Sequence, residues 1–301
     1  MHTESSTARP PSLLHPSSLF PQAVPYWQLG VLAMLSLWLY GPTLLHLVRQ
    51  WWHDPDFSHG FFVPLFAAFV LWQERNRLAR LVSRPSWFGL GITALAMCLL
   101  IVGQMGAENF LSRLSLLVLL AGIVILFFGW NSFRAVLFPW AFLLLMIPIP
   151  KILFNQITFP LQLLASRAAA GVLRSPVCDV PVLREGNVIY LASMTLEVAE
   201  ACSGIRSLMS LLTLAIIYGY LMEQRVWVRW LLALSSVPIA VAANSVRIIG
   251  TGLLVQYWDA DKAEGYFHAS WGWIIFLIAF VMLYAVHGAI RLLWPARGGE
   301  A

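Results

Sequence analysis

Apolar residues fill most of this chain in long runs that are separated by short polar turns. A helix needs about 20 mainly apolar residues to cross the hydrocarbon of a bilayer, because each residue adds about 1.5 Å of rise. The pattern therefore predicts an all-α polytopic membrane protein with about eight transmembrane helices. The predicted spans are Trp27–Val48, Gly60–Gln73, Phe88–Gly103, Leu114–Phe128, Ala135–Ile149, Gly204–Met222, Leu231–Val255 and Trp271–Ile290.

Two stretches before the sixth span depart from this pattern. Ile152–Leu173 is long enough to cross, but it carries polar residues such as Gln162 and Arg167, so we expect an amphipathic helix on the outer surface or a re-entrant helix. Val180–Val198 alternates between apolar and polar positions and turns around Gly186. This alternation predicts a small extracytoplasmic β-hairpin.

Composition also indicates that the chain lies in a bilayer, and it helps to set the limits of the domains. A hydrophobic content of 59%, a charged content of 11% and a mean hydropathy of +0.75 exclude a soluble domain with a polar coat. Residues 1–25 are rich in Ser and Pro and have no basic region, so a disordered tail is predicted instead of a signal peptide. An integral membrane domain follows at 26–293, with its catalytic part at about 150–290, and 294–301 form a cytoplasmic tail.

Arginines indicate the orientation, because basic residues are retained on the cytoplasmic side. They exceed the acidic residues in alternate loops, which places both termini in the cytoplasm and the opposite loops in the periplasm. The pI of 9.4 then reflects mostly cytoplasmic arginine, and it gives no reason to expect a nucleic-acid partner. The arginines of the connecting segments are Arg75, Arg77, Arg80, Arg84, Arg134, Arg225 and Arg229.

The last three spans each bring one chemically capable residue to the outer side. Cys202 precedes the sixth span, Arg247 lies in the outer half of the seventh, and His268 comes just before the eighth. Spans joined by short connections are expected to be neighbours, so the three side chains can meet in one outer pocket.

Polar residues within two of these spans recur every three or four positions, so they share a helix face. An arginine within a span costs at least about 2.5–3.5 kcal/mol on insertion scales, and it should face the bundle interior or a water-filled cavity. We therefore expect a polar seam that opens outward. Its residues are Ser203, Arg206, Ser207, Ser210 and Thr213 in the sixth span, and Asn244, Arg247 and Thr251 in the seventh.

This trio suits thiol nucleophilic catalysis. A neighbouring cation and a helix N-terminus each favour the thiolate, and Cys202 has both available. His268 would act as general base and then as acid to the leaving amine. Arg247 would stabilise the oxyanion of a tetrahedral intermediate, and the first product would be a thioester on Cys202.

Five short motifs carry a resemblance: "DPDFSHG" (54–60), "IPIPK" (147–151), "EACSGIRS" (200–207), "NSVR" (244–247) and "FHASWGW" (267–273). Together they resemble the exosortase/archaeosortase family of membrane-embedded cysteine proteases and transpeptidases. The resemblance implies an eight-helix fold and the processing of exported proteins that end in a Pro-Glu-Pro type sorting motif, a membrane helix and a basic tail. It assigns the presumed catalytic roles to Cys202, Arg247 and His268.

Further expectations follow from the same resemblance. The protein would lie in a bacterial inner membrane with its active site facing the periplasm, and exopolysaccharide export machinery is a possible partner. Arg206, Asn244, His59 and Ser203 are candidates for substrate binding or support. No cofactor is expected, and the acceptor that resolves the thioester, water or a lipid amine, stays open.

Each candidate residue also has a structural explanation that involves no catalysis. Cys202 could form a disulfide with Cys178 on the oxidising side, and His268 could belong to an interfacial aromatic belt. Arg247 could anchor its helix to headgroups. Cys98 is interpreted as packing inside the third span.

Parts of the sequence also fit another kind of site and two other classes of function. The two His and two Asp at 53–60 suggest a metal site, but their spacing lacks the paired helical geometry of a zinc protease, so no metal is expected. A polysaccharide-export permease would use intramembrane Arg and Asn without any thiol. A scaffold of an export complex would tolerate loss of all three residues.

Overall fold

The computed structural model describes residues 26–106, 108–192, 194–198, 204–257 and 266–295. The predicted tail at 1–25 and most of the tail at 294–301 lie outside them. Over these ranges the elements are α1 (Tyr26–His53), the 3₁₀ helix η1 (Pro55–Phe61), α2 (Phe62–Gln73), α3 (Arg75–Ala79), α4 (Phe88–Met105), α5 (Asn109–Ala135), α6 (Leu137–Phe142), the 3₁₀ helix η2 (Leu143–Met146), α7 (Lys151–Leu173), β1 (Leu183–Glu185), β2 (Val188–Tyr190), β3 (Thr195–Glu197), α8 (Gly204–Met222), α9 (Val226–Tyr257) and α10 (Tyr266–Leu293).

Length and composition make most of these helices membrane spans. Within the described residues, six segments qualify, and the count rises to seven if the bent pair formed by Leu137–Met146 and Lys151–Leu173 is one span. The apolar segment Arg206–Met222 of α8 falls short of the required length. The polytopic all-α class is confirmed, whereas the count of eight is not. The qualifying segments are Gly30–His53, Pro55–Gln73, Phe88–Met105, Asn109–Ala135, Val226–Tyr257 and Gly272–Leu293.

Helices α4 and α5 form an antiparallel pair in which glycines permit close contact. A Cβ at Gly89 would lie 2.6 Å from the Cα of Leu126, and one at Gly122 would lie 2.6 Å from the Oγ1 of Thr93. Small residues at such contacts let two backbones approach, which strengthens helix packing in lipid. This pair joins the rest of the bundle partly through α1, where the Tyr40 hydroxyl lies 3.0 Å from the Ser115 hydroxyl in the interior.

The end of the bundle at which α8 begins and α9 ends is called the upper end, and the opposite end the lower end. Helix α7 follows a bend of 88° and runs beside α9 in the same direction, with Ala165 near Ser245 and Leu173 near Gly252. The Phe154 ring lies 5.9 Å from the Phe57 ring of η1. Near the end of α9, a Cβ added to Gly252 would lie 3.0 Å from the Leu173 side chain, so the two helices are in contact there. By length and composition the bent pair Leu137–Met146 and Lys151–Leu173 fits either one broken span or a re-entrant segment, and the position of α7 relative to the membrane surface stays a prediction.

A three-stranded antiparallel sheet covers the upper part of α7 and α9. The predicted hairpin is present as β1 and β2, with a two-residue turn in which Gly186 has φ +62°, a conformation that favours glycine. The sequence did not predict β3, which pairs with β2. Ile189, Leu196 and Val198 bury their side chains against Leu173 and α9, so the sheet fixes the segment that leads toward α8.

Candidate functional site

Helices α8, α9 and α10 form one packed unit. Their shared core includes Leu211, Leu232 and Leu283, each completely buried. Met222 and Val226 bound the short connection between α8 and α9, so these two helices run in opposite directions. The unit therefore brings the start of α8, the end of α9 and the start of α10 to the upper end.

The register of α8 against α9 fixes the height of Arg247. Gly219 of α8 lies opposite Arg229 of α9, since a Cβ on the glycine would be 3.5 Å from the Arg229 Cα. Nearer the upper end, Leu208 of α8 and Ala240 of α9 line one small cleft between the helices. The antiparallel register set by Gly219 and Arg229 places Gly204 opposite Asn244, and the shared lining of Leu208 and Ala240 agrees with it. With about 1.5 Å of rise per residue, Arg247 lies about 4.5 Å above the level at which α8 begins.

The register of α8 against α10 fixes the height of His268 in the same way. The Tyr218 hydroxyl lies 2.7 Å from His287 Nδ1, and Arg291 Nη2 donates to the Met222 carbonyl at 2.6 Å. Both pairs are separated by 69 positions, so the two helices run parallel and in step. The backbone of His268, in the first turn of α10, is then about 7.5 Å above the level of Gly204 and close to that of Arg247.

The structure describes the predicted site residues to different extents. Arg247 is partly buried, and Asn244 is only 6% exposed. Cys202 and Ser203 lie outside the described residues, and so does the side chain of His268. Arg247 and the backbone of His268 therefore lie at a similar height, while the convergence of the three side chains stays a prediction.

The "DPDFSHG" segment forms η1 and packs beside the start of α8. Asp54 caps it by accepting from the Asp56 backbone N–H at 3.1 Å, and Pro55 occupies the first turn, where its missing N–H costs nothing. The Asp56 carboxylate accepts from Arg206 Nε at 3.3 Å across 150 positions of sequence. Arg206 thus joins η1 to α8, which supports the structural alternative for this residue.

His59 connects η1 with η2. It is 7% exposed, and its Nε2 lies 3.2 Å from the Leu145 carbonyl oxygen in η2. Trp51 Nε1 donates to the neighbouring Met146 carbonyl at 3.0 Å. Both bonds fix the chain just before the "IPIPK" bend, so His59 is a support residue of the fold.

Gly60→Ala is expected to destabilise the protein by about 1–3 kcal/mol, since a Cβ there would lie 2.6 Å from Cδ1 and Cε2 of the buried Trp51 ring. Thermal unfolding of the purified protein in detergent measures the loss. Gly91→Ala in α4 is the matched control, because its Cβ would meet nothing within 4 Å. Equal melting temperatures for the two variants would contradict the prediction.

The ion pair between Asp56 and Arg206 was not predicted from the sequence, because the two residues are distant along the chain and only the fold brings them together. Two other expectations concern cysteines. Cys178 is a free thiol, and the structure contains no disulfide at that position. Cys98 lies on the exposed side of α4, so its interpretation as core packing is wrong; the buried side of that helix is formed by Gly89, Ala96 and Gly103.

Among the described residues, no three His, Cys, Asp or Glu side chains are grouped so that they could hold a metal ion.

A polar cluster at the lower end was also missed. The Glu223 side chain, 6% exposed, accepts from Arg225 at 3.2 Å through each carboxylate oxygen and lies 3.3 Å from His287 Nε2. Arg229 Nε donates to the Glu223 carbonyl at 2.6 Å. The cluster joins the lower ends of α8, α9 and α10, the three helices that carry the predicted catalytic residues.

The acidity of Glu223 gives this cluster a pH dependence. Hydrogen bonds from Arg225 lower the pKa of the Glu223 carboxyl from 4.5 to about 2, against the opposing effect of its burial. A carboxyl whose pKa is lower in the folded state stabilises the protein above its unfolded pKa and loses that contribution as the pH falls. We expect the difference in melting temperature between wild type and Glu223→Gln to be largest above pH 4.5 and to shrink toward pH 2. A difference that stays constant over this range would contradict the assignment.

These features define the class of protein: it is a multi-pass helical membrane protein in which the start of α8, the end of α9 and the start of α10 lie at one end of the bundle, with the partly buried Arg247 near them. The family model for transmembrane exosortases matches residues 51–285. The match covers more than half of the chain and includes η1 and most of α10, so this protein belongs to the transmembrane exosortase family. The searches of the curated proteins and of the solved structures found no match.

Proposed function

We propose that this transmembrane exosortase is a cysteine peptidase or transpeptidase that cleaves the C-terminal sorting signal of exported proteins. The observation that supports it most is the common height of three helix ends. Arg247 and the backbone of His268 lie within about one turn of each other, just above the start of α8. Cys202 precedes Gly204 by two residues, and about 3.8 Å between consecutive Cα atoms keeps it within about 7.6 Å of that residue.

Cys202 is the proposed nucleophile. The N-terminus of α8 and the positive charge of Arg247 favour its thiolate over its thiol. His268 takes the proton from the Cys202 thiol. The thiolate sulfur then attacks the scissile carbonyl carbon and forms a carbon–sulfur bond, and the π electrons of the carbonyl move onto its oxygen. Arg247 stabilises this oxyanion by donating hydrogen bonds from its guanidinium.

Collapse of the intermediate breaks the carbon–nitrogen bond. His268 gives a proton to the leaving amine, so the C-terminal segment departs neutral at that nitrogen, and a thioester on Cys202 remains. Water or an amine then attacks the thioester, with His268 as the base, and restores the thiol. The first acceptor makes the protein a peptidase and the second a transpeptidase.

The substrate follows from the resemblance and from the position of the site. It is an exported protein that ends in a Pro-Glu-Pro type motif, a membrane helix and a basic tail, and its helix enters the bilayer beside α8, α9 and α10. The lower end carries Arg75, Arg77, Arg225, Arg229 and Arg291, which supports a cytoplasmic location for that end. The site then faces the periplasm of a bacterial inner membrane, where exopolysaccharide export machinery is a proposed neighbour.

Trapping the acyl-enzyme tests this function. Wild-type protein in membranes is mixed with a reporter that carries the tripartite C-terminal signal, quenched in acid, and analysed by denaturing gel and mass spectrometry. The expected result is a reporter adduct on Cys202 that hydroxylamine removes, together with a shortened reporter. Cleavage without any hydroxylamine-sensitive adduct, or no cleavage at all, would overturn the proposal.

A further inference from the structure

The three-stranded sheet leaves one edge of β3 free. The strand order is β1-β2-β3, so β3 has a neighbouring strand on one side only. Val198, the residue after β3, donates its N–H to the Asn187 carbonyl, just before β2, at 3.0 Å. Antiparallel pairing alternates along a strand, so Leu196, two residues earlier, also bonds to β2. The backbone N–H and C=O groups of Thr195 and Glu197 therefore point to the free edge.

The two edges of the sheet differ. Along β1 the edge is partly covered, because Arg174 Nε donates at 2.9 Å to the carbonyl of Val182, which continues that edge just before the strand. Within the described residues, no hydrogen bond from outside the sheet reaches the backbone of Thr195 or Glu197, and both side chains are exposed. Such N–H and C=O groups on an edge strand form a template for another extended segment.

Contacts with α7 place the end of β3 at the level of the proposed site. The Ser166 hydroxyl of α7 donates at 3.1 Å to the Gly186 carbonyl, in the turn between β1 and β2. The neighbouring Ala165 carbonyl accepts from the Ser245 hydroxyl of α9 at 3.5 Å. Because β3 ends beside this turn, its end is about level with Ser245, within one helical turn of Arg247.

The direction of β3 leads toward the proposed nucleophile. The segment before β1 starts near the upper end, where the Val180 N–H donates at 3.0 Å to the carbonyl of Leu173, the residue that contacts Gly252. β1 ends lower, at the turn described above. β3 runs in the same direction, since both strands are antiparallel to β2. Four residues after Val198 the chain reaches Cys202, which is therefore no more than about 14 Å away.

We propose that the free edge of β3 binds the substrate as an added parallel strand on the N-terminal side of the scissile bond. This inference rests on the proposed function and deepens it by a binding site for the substrate backbone. A substrate that comes from the periplasm and continues into the bilayer as a helix runs in the same direction as β3. Its backbone then pairs with Thr195 and Glu197 before it reaches Cys202.

The pairing fixes which substrate groups bind. In a parallel pair, the substrate residue opposite Leu196 donates its N–H to the Thr195 carbonyl and accepts from the Glu197 N–H. The two residues that flank it turn their own N–H positions away from β3. A Pro-Glu-Pro type motif fits this register, because proline has no N–H and is tolerated where that group would face away from the ladder. The central residue of the motif supplies both hydrogen bonds.

Glu197→Pro tests the edge directly. A proline there removes the outward N–H and places its ring in the path of an added strand, while the bonds to β2 remain. Loss of one hydrogen bond between neutral groups corresponds to a factor of about 2–10, and the ring adds a steric block, so single-turnover acylation by the reporter should fall at least about tenfold. Arg184→Pro on β1 is the matched control, because its N–H position faces the opposite edge. This variant should keep the wild-type rate.

Cysteine crosslinking tests the same contact without catalysis. The enzyme carries Cys202→Ala, Cys178→Ser and Cys98→Ser, and Thr195→Cys adds one thiol to the edge strand. Single cysteines are placed along the reporter on the N-terminal side of the scissile bond. Side chains of a strand alternate between its two faces, so disulfides should form with every second reporter position. Leu183→Cys, in the same row of the sheet at the opposite edge, should form none.

The outcomes separate this inference from the proposed function. Wild-type acylation in Glu197→Pro would overturn the inference while the acyl-enzyme still supports the function, and so would crosslinks that do not alternate or that form equally from Leu183→Cys. Alternating crosslinks to a reporter that the wild-type protein never cleaves would overturn the function and support the edge as a binding site for the signal. Absence of both crosslinks and acyl-enzyme would overturn both.

Discussion

Cys202→Ala and Cys202→Ser are expected to produce no shortened reporter, because each removes the only atom that can form the thioester. Removing the nucleophile of a hydrolytic enzyme lowers its rate by at least about 10⁴-fold, which is below detection in a processing assay. Serine fails as well as alanine, since a neighbouring cation and a helix N-terminus favour a thiolate but leave a hydroxyl protonated at neutral pH. The measurement is the fraction of co-expressed reporter that is shortened, at matched levels of enzyme in the membrane.

Cys178→Ser is the matched control for these variants. Cys178 is also near the upper end, where its carbonyl accepts from the Tyr257 hydroxyl at 2.8 Å, and it is a free thiol. It should keep wild-type processing. Equal loss in Cys178→Ser and Cys202→Ser would point to a disulfide between the two residues. Full processing in both Cys202 variants would exclude the thiol mechanism and favour an export permease or a scaffold.

The helical membrane architecture could be predicted from the sequence because lipid imposes a simple rule. Each span must satisfy its own backbone and present apolar side chains, so its position can be read from the local pattern alone. The hairpin was equally local, since alternation and Gly186 define it within a few residues. The path of α7 was predicted only as alternatives, because the bend of 88° before it depends on contacts of η2 with His59 and Trp51.

The polar contacts of the site and its surroundings could not be predicted, because they join distant parts of the chain. Asp56 meets Arg206 across 150 positions, and Glu223 meets His287 across 64. A charge pattern shows that such residues exist, but it does not pair them. The sequence shows Gln162 only as a polar residue within a mostly apolar stretch. Its burial beside Asn244 became visible once α7 and α9 were packed together.

Arg247→Ala is expected to lower the rate of acylation by about 10²–10³-fold, the usual cost of removing one oxyanion donor. Arg247 is assigned this role in preference to Arg206 because it lies about one turn above the start of α8, whereas Arg206 lies below that start. Arg247→Lys keeps the charge but loses the planar fork, so its rate should fall between those of wild type and the alanine variant. Single-turnover acylation separates this effect from changes in the later acceptor step.

Arg206→Ala is the comparison that makes this prediction specific. Its guanidinium is half exposed and pairs with Asp56, and an exposed pair of this kind contributes about 0.2–1 kcal/mol to stability. Acylation should therefore stay within a few-fold of wild type, and Asp56→Asn should behave in the same way. If Arg206→Ala lost as much activity as Arg247→Ala, the oxyanion role would belong to the arginine of α8 or to both residues. If Arg247→Ala kept its rate, charge stabilisation at this height would have to come from the N–H groups at the start of α8.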